Sequence, residues 1–385
     1  MIGLSAVMHA AFFVVLFCCL PSYLCGMITF MSSWPGRLFS SDIPDLRFSI
    51  AFERALVTVE VLKNGSIETA FSELLYPDND NQICLSDIDL LVQPYSDRYV
   101  VFDVRVTVQE QNVYSSDHVS AIDTQTVSAS VVTCKAIVKN MTAADFCNNR
   151  FLTLLDGPKQ TAGGWKEILS YIGNDTPVCE ATYDDGSVVT HQVTRLSGGD
   201  FTMIDVSPDN FLSSGRQLLQ YIIRAGNRRQ EFVVVSDFPT DIGPVLLFAN
   251  SFGVEEIAYC TGEHHQVSTF DRRQSRIGRT KRSYAIEEKE TFKADTGILS
   301  FPMANWWREV LRSKSVRLLP VINGGVALND MVPVVISSEK AEISNAADHL
   351  PRFTFEYEYA DRNHNVWDIR REGRIFDNTF DYTFN

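Results

Sequence analysis

No GxSxG nucleophile elbow, Walker-type phosphate loop, GxGxxG fingerprint or HExxH pair occurs anywhere in the 385 residues. Serine-hydrolase, nucleotide-binding and zinc-peptidase chemistry are therefore left without the motif each relies on. Basic charge is in short supply: 34 Lys and Arg face 48 Asp and Glu, for a net charge of −14. Such a surface repels a phosphate backbone, which argues against a general nucleic-acid binder. Cysteine is sparse beyond the opening segment, where only Cys84, Cys134, Cys147, Cys179 and Cys260 remain. They form no CxxC and no Cys/His cluster at zinc-ligand spacing, their number is odd, and a disulfide framework has no support. They are expected as small buried hydrophobes. Neither a metal nor a cofactor is expected.

Before Arg37 there is no Asp, Glu, Lys or Arg at all. The apolar core Ala10–Leu20 fits a signal h-region and is too short to span a bilayer, yet the basic residues that normally precede such a core are missing. Extension through Pro21 gives a span only by accepting small polar residues. Met27 and Met31 then offer internal starts. A weak export signal and an over-extended start both stay open, and residues 1–36 are expected to lie outside the fold.

What the chain does have is period-two alternation. Phe102, Val104, Val106 and Val108 share one face of "VVFDVRVTV", and Phe353, Phe355, Tyr357 and Tyr359 share one face of "RFTFEYEYA". Turn pairs at Asn64-Gly65, Asp185-Gly186 and Gly226-Asn227 predict three hairpins. Helical patterns are few: Ser86–Tyr95, "TAADFCNNRF", and Phe301–Ser313 with Pro302 at its start and a Met303, Trp306, Trp307, Val310 stripe suited to core packing. The fold class is mainly β: tandem antiparallel β-sandwich modules with a few covering helices and an α+β C-terminal module. Loop-rich stretches at 154–165 and 236–244 suggest modules at 37–155, 156–243 and 244–372, followed by an aromatic tail at 373–385.

No catalytic constellation emerges. Glu263, His264 and His265 are adjacent and point apart on a strand or turn, so a surface loop is expected there. Asp78 and Asp80 alternate as in a calcium loop but lack its glycine and closing Glu, which favours a solvated hairpin turn. A glycosidase carboxylate pair has no sequence spacing by which to pick it out. Sequons at Asn64, Asn140 and Asn174 matter only in a eukaryotic secretory pathway. The sharpest local anomaly is Arg272, Arg273, Arg276, Arg279, Lys281 and Arg282, six basic residues in an acidic protein. A solvated loop is the leading reading, docking on an acidic or phosphate-bearing partner the second, and cleavage by a basic-residue protease the third. At the C-terminus Phe376, Phe380 and Phe384 recur at spacing four, which points to a terminal arm that docks on a neighbour.

Several stretches taken in order, "FSSDIPDLRFSI", "YPDNDNQICLSDIDLLVQPY", "RFLTLLDGPKQTAGGWKEILSYI", "LLFANSFGVEEIAYCTG", "FTFEYEYADRNHNVWD" and "IFDNTFDYTFN", resemble uncharacterised proteins of phages and prophages in gut Bacteroidales. Those are generally taken to be tail-associated or other virion structural proteins. The resemblance covers roughly residues 38 to 385 and its motifs are structural, so it carries over no catalytic residue. Such proteins begin near "FSSDIPDLRFSI" without an apolar leader, and often have a glycine where this chain has "DNDNQ". The resemblance implies a non-enzymatic structural or adaptor component of a tail or baseplate, made in the bacterial cytoplasm and residing in the virion. Its partners would be other tail subunits or further copies of itself, with the basic run and the aromatic tail ordered only in the assembly. The alternative is an exported surface sandwich that binds glycans.

Overall fold

The computed structural model describes residues 28–115, 118–236, 243–322, 325–341, 343 and 350–360. The chain forms two compact units. Among the described residues, the first comprises 28–38, Asp42–Tyr95 and Phe102–Val131; the second comprises Phe39–Ser41, Ser96–Val101 and those from 132 to 360. As the alternating sequence predicts, the protein is mainly β, with multiple antiparallel sheets in keeping with tandem sandwich modules. Among the described residues no helix is long and apolar enough to cross a membrane.

In the first unit the elements are β1 (Thr29–Phe30), β2 (Arg37–Phe39), β3 (Leu46–Ser49), β4 (Arg54–Lys63), β5 (Ser66–Leu75), β6 (Gln82–Leu85), α1 (Ile88–Ser96), β7 (Val101–Ser115) and β8 (His118–Val132). A five-stranded sheet runs β2-β8-β7-β4-β5, and a small one runs β1-β3-β6. Register explains the first core: Val57 lies opposite Val108, Val59 opposite Val106 and Val61 opposite Val104, all of them buried. The β4–β5 hairpin turns through Asn64 and Gly65, whose φ angles of 50° and 80° belong to the left-handed region. The segment between β5 and β6 is no hairpin turn, because its flanking strands belong to different sheets. Asp78 Oδ1 folds it locally by accepting from Asp80 N and Gln82 N, both at 2.9 Å.

The expectation that residues 1–36 lie outside the fold fails for 28–36; residues 1–27 lie outside the described residues. Phe30 pairs with Phe48 across the β1–β3 ladder, Ile28 and Trp34 are buried, and Trp34 Nε1 donates to Pro44 O at 3.0 Å. A charge-free start carries no period-two signal long enough to reveal a two-residue strand.

The second unit contains α2 (Ala143–Asn149), β9 (Lys159–Thr161), β10 (Ile168–Tyr171), β11 (Val178–Tyr183), β12 (Val188–Gln192), β13 (Thr194–Ser197), β14 (Thr202–Asp205), β15 (Leu218–Ala225), β16 (Arg228–Val234), β17 (Val245–Ala249), β18 (Glu255–Tyr259), β19 (His264–Ile277), β20 (Thr280–Asp295), α3 (Phe301–Arg312), β21 (Val316–Leu319), β22 (Val321–Ile322), β23 (Gly325–Val326), β24 (Val332–Lys340) and β25 (Thr354–Tyr359). Its sheets run β12-β11-β15-β16-β9, β10-β14-β13 and β18-β17-β21-β24-β25-β20-β19, with β22 and β23 as a short pair. Only the β16–β9 ladder is parallel among those described. The proposed cuts at 155 and 243 both fall within this unit, since Leu155 packs in the same core as α3, and Trp165 in the same core as β17 and β18.

α3 starts where Ser300 accepts from Met303 N and Pro302 fills the first turn. Its predicted stripe is buried against Phe248, Phe292, Phe355 and Tyr357. Trp306 is fully buried, and its Nε1 donates to Glu256 Oε2 at 2.7 Å. Trp306→Ala is expected to cost about 3–5 kcal/mol, from lost burial plus one of the buried Glu256 carboxylate's hydrogen bonds, as measured by urea unfolding.

Four of the five cysteines are buried thiols, as expected; Cys84 is exposed, because it points outward from the short strand β6 while Ile83 and Leu85 point in.

Candidate interaction arm and the buried polar junction

The basic run is not a solvated loop. It forms the outer half of a hairpin in which β19 and β20 pair from His264↔Ala294 out to Ile277↔Thr280, so the segment is paired within the single chain. Gly278 takes φ 63° at the first turn position, as a two-residue II′ turn requires. Beyond Phe292, where β20 still pairs with Tyr357 of β25, the two strands form ladder hydrogen bonds only with each other among the described residues, and Lys289 Nζ reaches Glu358 Oε2 of β25 at 2.9 Å. From Val267 to Ile277 the ribbon runs roughly 35 Å, at about 3.3 Å per residue.

Alternation sorts the arm into faces. Phe270, Arg272, Gln274 and Arg276 share one, joined across the ladder by Glu288, Ile286 and Lys281. Arg272 sits 5.8 Å from the Phe270 ring centroid. Arg273 lies on the other face near Glu287, at 3.8 Å, and Arg279 and Arg282 sit at or beside the turn. The arm also carries large exposed apolar groups: Phe270 at 49%, Ile277 and Tyr284 at 67% and Ile286 at 53%. An isolated two-stranded ribbon has no core and is marginal in water, so apolar groups on both its strands are surface looking for a partner. Phe376, Phe380 and Phe384 of the tail lie outside the described residues.

At the root of the arm the expected surface loop is replaced by a packed histidine. His264 Nε2 and Tyr357 Oη are 2.9 Å apart, and the imidazole stacks on the Tyr357 and Phe292 rings. Glu263 pairs with His265 at 3.5 Å. Among the described residues no group of three or more His, Cys, Asp or Glu is placed to hold a metal ion.

A second cluster of chemistry-bearing groups lies inside the second unit. Lys159 Nζ donates to Glu167 Oε2 at 2.5 Å and to Ile257 O at 2.7 Å, and sits 4.8 Å from the Trp306 ring. Glu256 accepts from Trp306 Nε1, from Thr153 Oγ1 at 3.1 Å and from Asn250 Nδ2. Glu309 accepts from Ser251 N at 3.1 Å and lines a cleft of about 470 Å³ with Arg98, Lys135, Arg312 and Lys314. On the rim of that cleft Lys135 and Lys314 hydrogen-bond Asp97 and hold its carboxyl below the usual carboxylate range.

Burial pushes Glu167 up to about 7 against the pull of Lys159, and pushes Glu309 up to about 7 with help from the nearby Glu256 charge. Burial also raises Glu256. These bonds tie α3, β9, β18 and the turn after β17 together, which is structural work. In the fold Glu167 and Glu309 keep their protons to about pH 7, and in the unfolded chain only to about 4.5. Their stabilising effect is therefore complete below 4.5, declines as pH rises and is lost above about 7. Urea midpoints measured from pH 5 to 8 are expected to fall, and Glu309→Gln, which keeps the acceptor for Ser251, is expected to flatten that decline.

No family model matches the chain, and no curated protein matches it. Among solved structures, a plexin A4 extracellular region is similar at 8% identity and TM-score 0.19, over 90% of this chain and 37% of that one. The titin I9–I11 tandem is similar at 8% identity and TM-score 0.15, over 87% and 91%. An E. coli alpha-2-macroglobulin is similar at 9% identity and TM-score 0.17, over 85% and 30%. The chain thus spans about a third of the first of these.

Proposed function

We propose that this protein is a non-enzymatic structural or adaptor component of a phage tail or baseplate region, resident in the virion and acting through protein–protein interfaces. The observation that carries this reading is the arm formed by β19 and β20. It is a projecting ribbon with exposed aromatics and basic side chains, long enough to supply much of the roughly 800 Å² per partner that a stable interface buries. The placement in a virion rests on the sequence resemblance to phage and prophage proteins. Buried Lys159, Glu167, Glu256 and Glu309 support the same reading, because they are engaged in holding elements of the second unit together. Mass spectrometry of purified phage particles tests it. The polypeptide is expected in the particle at fixed stoichiometry, and its absence from every preparation overturns the proposal.

A further inference from the structure

We infer that the arm of one copy docks on the acidic edge strand β5 of a second copy, which deepens the proposed function by naming the partner of the arm and rests on that reading. Four observations meet here. First, the arm concentrates Arg272, Arg273, Arg276, Arg279, Lys281 and Arg282 around its tip, with Asp271 as the one acid among them. Second, β5 itself carries Glu68 and Glu73 and no Lys or Arg, within a stretch from Lys63 to Arg98 that has no other basic residue. Third, β5 ends its sheet and bonds only to β4 among the described residues, so it presents the outward backbone row that a second strand can pair with. Fourth, β5 exposes Ile67 and Leu74 on one face and carries Glu68 and Glu73 on the other, so a strand added at this edge meets apolar groups on one side and acidic groups on the other.

The two surfaces are complementary in backbone, polarity and charge. An edge strand left open invites pairing unless charge or covering blocks it, and here the charges oppose those of the arm. The contact joins two different patches, so it is heterologous: each copy offers both an arm and an edge, and copies add head to tail into a ring or a filament. Steering between such patches weakens as salt screens them.

Sedimentation velocity on the full chain tests this. The wild type is expected to shift to larger species with concentration at low salt, and to lose the shift at high salt. Arg272→Glu, Arg276→Glu and Lys281→Glu together alter one face of the arm, and Glu68→Lys with Glu73→Lys alters the edge. Each variant alone is expected to stay a single copy, and an equimolar mixture is expected to associate again, because the unaltered arm of one meets the unaltered edge of the other and the reversed pair is complementary as well. A wild type that remains a single copy, or variants that associate as it does, overturns the inference. If the chain is present in particles yet never self-associates, the partner is a different subunit and only this inference fails. If it self-associates yet is absent from particles, the virion reading fails instead.

Discussion

At pH 8, Lys159→Met is expected to lower unfolding stability by about 3–5 kcal/mol, read from urea denaturation. The side chain is buried with Glu167, and its ammonium satisfies both that carboxylate and the Ile257 carbonyl. Methionine fills the volume and supplies no donor, so at pH 8 the fold must either hold a carboxylate without its counter-charge or take up a proton that the unfolded chain has released. The penalty depends on ionisation. At pH 5 Glu167 is protonated in the fold, and the loss is expected to shrink to little more than two hydrogen bonds. Adding Glu167→Gln is expected to recover most of the pH 8 loss. A cost that is equal at both pH values would contradict the buried ion pair.

Excision of Ser268–Glu290, with Val267 and Thr291 joined through Asn-Gly, is expected to leave the unfolding midpoint unchanged while abolishing incorporation into particles. These two residues are direct partners across the ladder, so a two-residue turn closes the shortened hairpin. Phe292 and Ala294, which belong to the core with α3, remain in place. The removed residues contribute little burial and so little stability. What they contribute is surface. A large drop in midpoint would show the arm to be part of the core, and normal incorporation of the folded variant would remove it as the interface.

The sequence announces elements that bury one face. β7 and β25 alternate because Phe102 to Val108 and Phe355 to Tyr359 point inward at every second position, and α3 carries its stripe for the same reason. Turns at Asn64, Gly186 and Gly226 are equally plain, since each needs a residue tolerant of positive φ. The arm hides from that test. Exposed on both faces, it has no apolar alternation, and its basic residues read as a loop. The polar junction hides for another reason. Lys159 and Glu167 lie in a glycine-rich stretch that looks like a linker, and Glu256 meets Trp306 from 50 residues away. Long-range pairing of single polar residues leaves no periodic mark.

Amide hydrogen exchange over residues 268–290, compared between the free dilute chain and purified particles, tests the role of the arm most directly. Rapid exchange in the free chain and strong protection in the particle is the expected result, because a ribbon without a core opens readily until a partner covers it. Equal exchange in the two states would contradict it.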